Sequence, residues 1–471
     1  MIMKSKNPIS IKPLSNVGAL LDIPTGTFIK GERGEYILNG GVASVTGTAG
    51  AGNMFKSTFT QFLMTMSTNR YNATQDEPAH MHTYDSEDNM IFNYERLNLL
   101  TKSMKWIPSN PLYDENVWSV IPKSEMSAEE WLAMVHDVTM EKIKTKKRVT
   151  YEGYINRLNG QKITLPKLTS IMMDSFSELE SSKSTELVGK GDILTSQTIY
   201  MHEGMFKTKL LKDLPRLSNN SNTNFFLTAH TGDEINMASG PFAPQPTKSL
   251  QHMKTGTKIK GVAGKIYYLS THMYHITRSS LLIHPTTKQP EYPRDTEDNG
   301  TDLNVIFVKQ LRSKTGPSGY VLEIVVSQVE GVKPELTEFR HIKKEDYGII
   351  GNKLSYSIAL YPDVKLSRTK VRTKLEEDDR LKRAVNILSE ILQMKTFMRQ
   401  YRDLYIDPEK LYDMIIEQGY DWDKILDTVG WYSPGLYSKK LNYLSTLDIL
   451  LMAHGKSGID KKYLNKFLKD K

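Results

Sequence analysis

Short apolar runs alternate with amphipathic stretches over about residues 41–340 of this chain. The apolar runs predict strands at Gly41–Thr46, His80–Tyr84, Trp118–Ile121, Leu168–Met173, Asn224–Thr228, Ile266–Leu269, Asn304–Val308 and Tyr320–Val326. Apolar residues at helical spacing predict helices at Phe59–Thr68, Ala128–Ile143 and Ser196–Leu217. This alternation is typical of an α/β fold, in which a mostly parallel central sheet is covered by helices on both faces.

The same pattern divides the chain into three parts. Residues 1–40 carry turn signals and predict a lead-in segment, residues 41–345 predict the α/β core, and residues 366–471 predict a helical C-terminal domain. Helical spacing in the last part covers Lys374–Tyr405, Pro408–Gln418, Ser438–His454 and Lys461–Lys469, without strand candidates. Two polar insertions interrupt the core at 141–166 and 284–300, and the second is expected to be a surface loop. Neither insertion has a role that the sequence indicates.

Composition narrows the class of protein. The 471 residues are 39% hydrophobic and 25% charged, as in ordinary soluble globular proteins. We expect neither a membrane span nor a signal peptide, because the chain has no apolar run of about 18 residues and no apolar N-terminal segment. The absence of cysteine excludes disulfides, thiolate metal sites and cysteine catalysis, and favours a reducing, cytoplasmic location. A net charge of +8 leans weakly toward polyanionic partners.

A glycine-rich turn lies between the first predicted strand and the first helix. We call residues 50–58 the phosphate loop; they are Gly50, Ala51, Gly52, Asn53, Met54, Phe55, Lys56, Ser57 and Thr58. Such a turn can wrap a polyphosphate with backbone N–H groups at a helix N-terminus. Lys56 would reach the β- and γ-phosphates, and the hydroxyl of Ser57 would hold Mg²⁺. The usual pattern is G-x-x-x-x-G-K-[ST], and Phe55 replaces its second glycine.

Two carboxylates follow strand ends where a nucleotide-hydrolysing sheet needs them. Glu87 follows the second strand and is the candidate base for the water that attacks the γ-phosphate. The alternative is that Asp85 and Ser86 simply cap the next helix. Asp174 ends the Leu168–Met173 run and is a candidate to hold Mg²⁺ through water, although apolar runs often end in Asp.

Two further features carry candidate side chains. His230 follows the Asn224–Thr228 run and could sense the γ-phosphate, or it could be an ordinary structural histidine. Arg312 and Lys314 precede Thr315-Gly-Pro-Ser-Gly between two late strands. They form either a charged hairpin turn or a pair of cations held near phosphates.

In this order, the motifs resemble those of the RecA-fold strand-exchange ATPases, most closely the phage-type UvsX recombinases, over about residues 24–345. Phe55-Lys56-Ser57 matches the phage-type F-K-S, and Tyr84-Asp85-Ser86-Glu87 matches the F/Y-D-A/S-E motif of the catalytic glutamate. Ile171-Met-Met-Asp174-Ser175 matches V-x-x-D-S, and Ala229-His230-Thr231 matches N-H-T. Arg312-Ser-Lys314-Thr315 matches K-S-R-T. The two insertions and the helical C-terminal domain have no counterpart that matches, and the chain ends basic where bacterial recombinases end acidic.

The resemblance implies a RecA-like core that hydrolyses ATP with Mg²⁺. Glu87, Lys56 and His230 would be catalytic, and Ser57 and Asp174 would hold the metal. Arg312 and Lys314 would reach ATP across a subunit interface of a homo-oligomeric filament. The implied activity is homologous pairing and strand exchange in DNA recombination, repair and replication, with single-strand-binding and mediator proteins as possible partners. The phage-type variants suggest a phage origin and hence the host cell cytoplasm.

In that family two loops facing the filament axis hold single-stranded DNA. The matching positions are Leu179–Asp192 and Gly232–Gly261. The second loop contains Lys248, Lys254, Lys258 and Lys260, which we expect to contact the DNA backbone. The alternative is a disordered polar insertion. The basic end of the C-terminal domain could add contacts to duplex DNA, or it could be a solvated helix face.

Two other functions stay open. A DnaB-type replicative helicase shares the core fold and forms hexameric rings, but it usually carries D-Y or D-Q and S-Q-L-N-R where this chain has Asp174-Ser175 and Ala229-His230-Thr231. A structural or regulatory polymer with slow turnover would fit Phe55 and the insertions, and Glu87 argues against it. The sequence does not distinguish a helical filament from a closed ring.

Overall fold

The structure, a computed structural model, describes residues 12–72, 75, 78–90, 97, 117–145, 147–156, 161–181, 196–233, 250–261, 265–294, 300–430 and 442–470. The strands are β1 (Thr27–Lys30), β2 (Tyr36–Asn39), β3 (Val45–Gly50), β4 (His80–Asp85), β5 (Trp118–Pro122), β6 (Val149–Ile155), β7 (Lys162–Leu165), β8 (Thr169–Asp174), β9 (Thr223–Asp233), β10 (Thr257–Ile259), β11 (His272–Leu281), β12 (Leu303–Ser313), β13 (Val321–Ser327), β14 (Gly331–Val332), β15 (Ile349–Gly351), β16 (Tyr356–Ile358) and β17 (Tyr361–Leu366). The α-helices are α1 (Asp22–Thr25), α2 (Lys56–Asn72), α3 (Ala128–Thr145), α4 (Ser196–Ser221), α5 (Lys265–Leu269), α6 (Pro334–Lys344), α7 (Val371–Glu377), α8 (Asp379–Phe397), α9 (Pro408–Glu417), α10 (Trp422–Leu426), α11 (Thr446–Ala453) and α12 (Lys461–Leu464). Short 3₁₀ turns cover Phe176–Glu178, Arg399–Leu404 and Asn465–Phe467.

One large sheet organises the described core. Its strand order is β14-β13-β12-β11-β3-β9-β8-β4-β5, and β10 pairs with the outer end of β9. The strands from β11 through β3, β9, β8 and β4 to β5 run parallel, whereas β11 to β14 are antiparallel to one another. Because the carboxyl ends of parallel strands share one edge, the ends of β3, β4, β8 and β9 lie together.

Helices cover both faces of this sheet. Alternation along β8 points Met172 toward Phe59 and Phe62 of α2, while its neighbours Ile171 and Met173 pack with α3 and α4 on the other face. This arrangement confirms the predicted α/β fold with a large central sheet flanked by helices.

The described C-terminal helices pack on the antiparallel side of the molecule. One hydrophobic cluster joins Ile23 of α1, Val325 of β13, Phe339 of α6 and Leu388 of α8, and it continues to Phe467. Helices at the C-terminus were predicted and are present, whereas the three-part division at residues 40, 345 and 366 stays a prediction. No helix in the described ranges is long and apolar enough to cross a membrane.

Several sequence-based assignments are wrong in detail. Ile266–Leu269 lies in α5 rather than in a strand, and the strand β11 follows it. The strand predicted at Gly41–Thr46 lies instead at β3, because the small residues of Thr46-Gly-Thr-Ala-Gly50 are buried between neighbouring strands. The predicted helix Lys374–Tyr405 is divided into α7, α8 and a 3₁₀ turn.

Both insertions contain regular or buried structure where the structure describes them. Residues 141–166 contain the end of α3 and the antiparallel pair β6–β7. The predicted surface loop 284–300 buries Tyr292, which is 1% exposed and packs edge-on against Phe339. Residues 157–160 and 295–299 lie outside the described part.

Candidate nucleotide-binding site

The phosphate loop connects β3 to α2 at the centre of the sheet. Gly50 pairs with His230 of β9 on one side and with Ile276 of β11 on the other. The backbone is left-handed at Asn53 (φ 56°) and at Phe55 (φ 60°). A glycine is therefore usual where Phe55 stands, because L side chains disfavour this conformation. The half-buried ring of Phe55 packs against the α2 side of the core.

Lys56 begins α2 and folds back over the loop. Its Nζ donates to the carbonyl oxygen of Ala51 at 2.7 Å, and the residue is 7% exposed. Burial lowers the pKa of Lys56, and attraction to Asp174 and Glu87 opposes that shift. The ammonium group therefore lies in the field of both candidate carboxylates.

Asp174 ends β8, where it lies between β9 and β4. Its carboxylate accepts hydrogen bonds from the hydroxyls of Thr228 and Ser57. Burial raises the pKa of Asp174, and these two hydrogen bonds oppose the increase. A carboxylate and a hydroxyl are the hard oxygen ligands that Mg²⁺ prefers, so the pair fits this ion. The described residues contain no group of three or more His, Asp or Glu able to hold a metal.

Glu87 and His230 meet above the phosphate loop. His230 Nε2 is hydrogen-bonded to Glu87 Oε1 at 3.0 Å, and the two side chains are 28% and 33% exposed. Burial alone would raise the pKa of Glu87. Hydrogen bonds from His230 and Ser175, with attraction to His230 and Lys56, outweigh burial and lower it. The carboxylate is thus held ionised and still reaches solvent.

Asp85 and Ser86 have structural roles next to this pair. Asp85 accepts from the backbone N–H of Glu87 at 3.2 Å and of Met90 at 2.5 Å, so it shapes the turn that carries Glu87. Ser86 Oγ donates to the carbonyl oxygen of Ser175 at 2.9 Å and accepts from the Ser175 N–H at 2.7 Å. These bonds fix the end of β4 against the end of β8.

The segment after His230 is a β-hairpin where it is described. β9 continues to Asp233, and β10 returns beside it with Lys258 opposite Gly232. Lys254, Lys258 and Lys260 are all exposed, and the Lys260 N–H donates to the carbonyl oxygen of His230 at 2.8 Å. Lys248, residues 234–249 and residues 182–192 of the first predicted DNA loop lie outside the described residues.

Arg312 and Lys314 lie near the amino ends of the parallel strands, at the opposite end of β3 from the phosphate loop. Arg312 pairs with Met273, which pairs with Gly47 near the start of β3. Its guanidinium lies 5.5 Å from the ring centre of Tyr267, and burial, followed by repulsion from Arg312, lowers the pKa of Lys314. Within one chain these two cations are therefore not brought to the phosphate loop.

Sequence reasoning missed three contributors, namely Thr228, Ser177 and Lys207. Thr228 looked like part of a buried strand, yet its hydroxyl holds Asp174. Ser177 accepts from the His230 N–H at 3.1 Å, and the buried Lys207 donates to the Ser177 carbonyl oxygen at 2.6 Å. A polar residue at the end of the apolar run Asn224–Thr228 is the signal that the sequence offers for Thr228.

No protein-family model matches this chain, and no curated protein matches it either. Solved structures do match, and one of them is the crystal structure of the RadB recombinase. That match has 12% identity and a TM-score of 0.31, and covers 62% of this chain and 92% of the RadB chain. A superposition this loose carries no weight, so the fold and the candidate site rest on the geometry above. The likeness to phage-type recombinases stays a prediction.

Proposed function

We propose that this chain is an ATP-dependent DNA recombinase that assembles on single-stranded DNA and pairs it with a homologous duplex. The observation that best supports this proposal is the hydrogen bond between Glu87 and His230. His230 lies on β9, which continues into the pairing with β10, the strand of Lys258. Lys260 directly follows β10. One strand therefore connects the candidate hydrolytic residue to the candidate DNA-contacting residues. ATP and Mg²⁺ are the implied cofactors.

The residues divide the work as follows. Bound Mg²⁺ and ATP supply the phosphoanhydride bond and the cation that withdraws charge from it. Lys56 would contact phosphate oxygens in place of the Ala51 carbonyl oxygen, and Ser57 and Asp174 would hold the metal. Glu87, whose pKa is lowered, stays ionised at neutral pH. It would accept a proton from the water that attacks the γ-phosphate, while the bond from that phosphate to the leaving ADP breaks.

His230 connects this chemistry to the DNA-contacting hairpin. It orients Glu87 through Nε2, and its carbonyl oxygen accepts from Lys260 at the end of β10. A change in the Glu87 contact on nucleotide binding or release would therefore shift β10 and its lysines. Single-stranded DNA held by those lysines would in turn favour one arrangement of Glu87.

The test is ATP turnover with and without single-stranded DNA. We expect DNA to stimulate turnover, and Glu87→Gln to lower turnover about 100-fold or more while DNA and ATP binding persist. Glu125→Gln, an exposed carboxylate after β5, is the matched control and should turn over like the wild type. Equal turnover of Glu87→Gln and wild type would sink the assignment of the base.

Imaging of the same samples distinguishes the two ATPase functions. Helical filaments on single-stranded DNA are expected for a recombinase. Closed six-fold rings that translocate along DNA would instead assign the chain to the DnaB-type helicases.

A further inference from the structure

Most of the net charge of the chain lies in one short stretch. Residues 139–167 contain eight Lys or Arg and two Glu, so they carry +6 of the net +8. The described part of this stretch comprises the end of α3 and the antiparallel strand pair β6–β7. We call this strand pair the ribbon. The phosphate loop, the carboxylates and the β9–β10 hairpin use none of these residues.

The ribbon has a buried face and an exposed face. Tyr151, Ile163 and Leu165 point inward and pack with Tyr71 and Ala79. In β7 these positions alternate with exposed Lys162 and Thr164, and in β6 Tyr151 follows exposed Thr150. Thr150 lies opposite Thr164 across the two strands. The described exposed face is therefore polar because of the two-residue period of the strands, with Lys162 as its cation. Exposed Lys144 and Arg148 lie just before β6 in the chain.

Three contacts fix the ribbon to the core. The ring of Tyr151 lies 5.1 Å from that of Tyr71, and its hydroxyl donates to the Pro166 carbonyl oxygen at 2.9 Å. Asn222, just before β9, donates to the same hydroxyl and to the same carbonyl oxygen. These contacts hold the ribbon in a fixed position on the core, with its polar face toward solvent.

Three of the cations around the ribbon have no carboxylate partner among the described residues. Within those ranges no ion pair involves Lys142, Lys144 or Arg148; Lys142 Nζ donates to Thr169 Oγ1 at 2.9 Å, and Arg148 Nη1 to the Thr164 carbonyl oxygen at 3.3 Å. Burial, followed by repulsion from Lys167, lowers the pKa of Lys142 to about 7. Lys144 and Arg148, unlike Lys142, are exposed, so their charges are accessible to a polyanion.

The ribbon is far from the lysines of the β9–β10 hairpin. The chain passes from β7 to the first residue of β8, Thr169, which pairs with Thr223 at the start of β9. Lys258 pairs with Gly232, near the end of β9. The distance along β9 is about 30 Å, at roughly 3.3 Å for each strand residue. One short strand of nucleic acid therefore does not cover both places on a single chain.

We propose that the exposed face of the ribbon binds the phosphate backbone of duplex DNA, as a second polyanion surface separate from the β9–β10 lysines. A two-stranded ribbon fits the width of the major groove, and its cations and threonine hydroxyls match phosphate oxygens. Only the choice of DNA as the polyanion rests on the proposed function. The charge and geometry of the surface do not depend on it.

The test is the salt dependence of binding to a fluorescent duplex, measured by anisotropy with the full chain. The variant Lys144→Gln/Arg148→Gln/Lys162→Gln should weaken binding. The slope of log affinity against log salt should become shallower by about 0.9 for each phosphate that is no longer neutralised, or roughly 3 in all. The matched control is Lys353→Gln/Lys365→Gln/Lys410→Gln, three exposed lysines elsewhere, which should keep the wild-type slope.

A second variant separates charge from folding. Because Arg148 bonds across the ribbon, Lys144→Gln/Lys162→Gln leaves that bond in place and should still reduce the slope by about 2. An unchanged slope in both variants would overturn the proposal. So would an equal loss of affinity for single-stranded and duplex DNA, because the two surfaces would then not be separate.

The proposed function fails on a different result. A wild-type chain without DNA-stimulated ATP turnover would reject the recombinase. The duplex salt slope of wild type and variants would still decide whether the ribbon binds a polyanion.

Discussion

At the scale of single residues, Phe55 combines two opposing effects. Its left-handed backbone costs about 1–2 kcal/mol relative to a right-handed conformation, at the place where phosphate loops usually have glycine. Its ring packs against the α2 side of the core, which offsets part of that cost. At this position, a glycine would avoid the backbone strain, whereas Phe55 accepts the strain and buries part of its ring.

We expect Phe55→Gly to be more stable than Phe55→Ala by about 1 kcal/mol, since both lose the ring and only alanine keeps the backbone strain. Urea unfolding of the two variants measures the difference. At Met54, whose φ is not positive, the same pair of substitutions should give the opposite order. An alanine variant at position 55 as stable as the glycine variant would contradict the strain argument.

At the scale of elements, α7 is fixed to the sheet by one buried arginine. Arg372 is 1% exposed, and its Nη1 and Nη2 donate to the two carboxylate oxygens of Asp302, just before β12, at 2.7 and 3.0 Å. Nη2 also donates to Glu330 at 3.3 Å. Removal of the guanidinium would leave the partly buried Asp302 without this cation, whereas Glu330 would still pair with Arg294 and Lys333.

Arg372→Ala should therefore lower the free energy of unfolding by about 3 kcal/mol. Lys374→Ala, on the same helix and half exposed, is the control and should change it by less than about 0.5 kcal/mol. Chemical denaturation of both variants tests the comparison. A similar cost for the two would mean that the buried ion pair is not what holds α7.

The elements also show what the sequence could predict. β4, β5 and β8 fall within one or two residues of prediction, because parallel strands buried on both faces read as apolar runs. The bounds of β3 and the existence of β11 were not predicted. β3 is buried through small residues, and the outer part of β11, from Thr277 to Leu281, is largely exposed, so neither reads as an apolar run. A short apolar run such as Ile266–Leu269 fits a helix turn as well as a strand, and tertiary contacts decide.

For the site, spacing predicted which residues end the strands but not how they bond. Asp174, Glu87 and His230 follow from their places after apolar runs, and Lys56 follows from its spacing to Gly50 in the glycine-rich turn. The bond from Glu87 to His230 spans 143 positions of sequence and depends on the strand order. The return of β10 along β9 was likewise hidden, because polar residues without clear alternation read as loop.

At the scale of the whole molecule, buried acids lie where the lead-in segment meets the C-terminal helices. Burial, followed by repulsion from Glu390 of α8, raises the pKa of Glu338 to about 8. Burial also raises the pKa of Asp22 of α1 to about 7 and that of Asp448 of α11 to about 7. Such groups hold a proton more tightly in the folded chain. The stability they contribute is complete below pH about 4 and is lost as the pH rises to about 8.

Glu338→Gln isolates one of these acids. Its amide oxygen can still accept from Asn386 Nδ2, as the carboxylate does at 3.2 Å. Relative to wild type, the variant should gain stability from pH 5 to 8.5, by about 2–4 kcal/mol at the upper end. Melting temperatures over this range measure it, with the exposed Glu409→Gln as control. A difference that does not depend on pH would show that Glu338 is not protonated in the folded chain.

The position of Arg312 and Lys314 has a consequence for the stoichiometry of any assembly. If these cations complete the pocket of a neighbouring copy, an isolated chain has no complete pocket. An open row of copies then has one complete pocket fewer than it has subunits, whereas a closed ring has equal numbers. Turnover per subunit would therefore rise with length in an open row and stay constant in a ring, so a bulk rate measured against protein concentration carries information about shape.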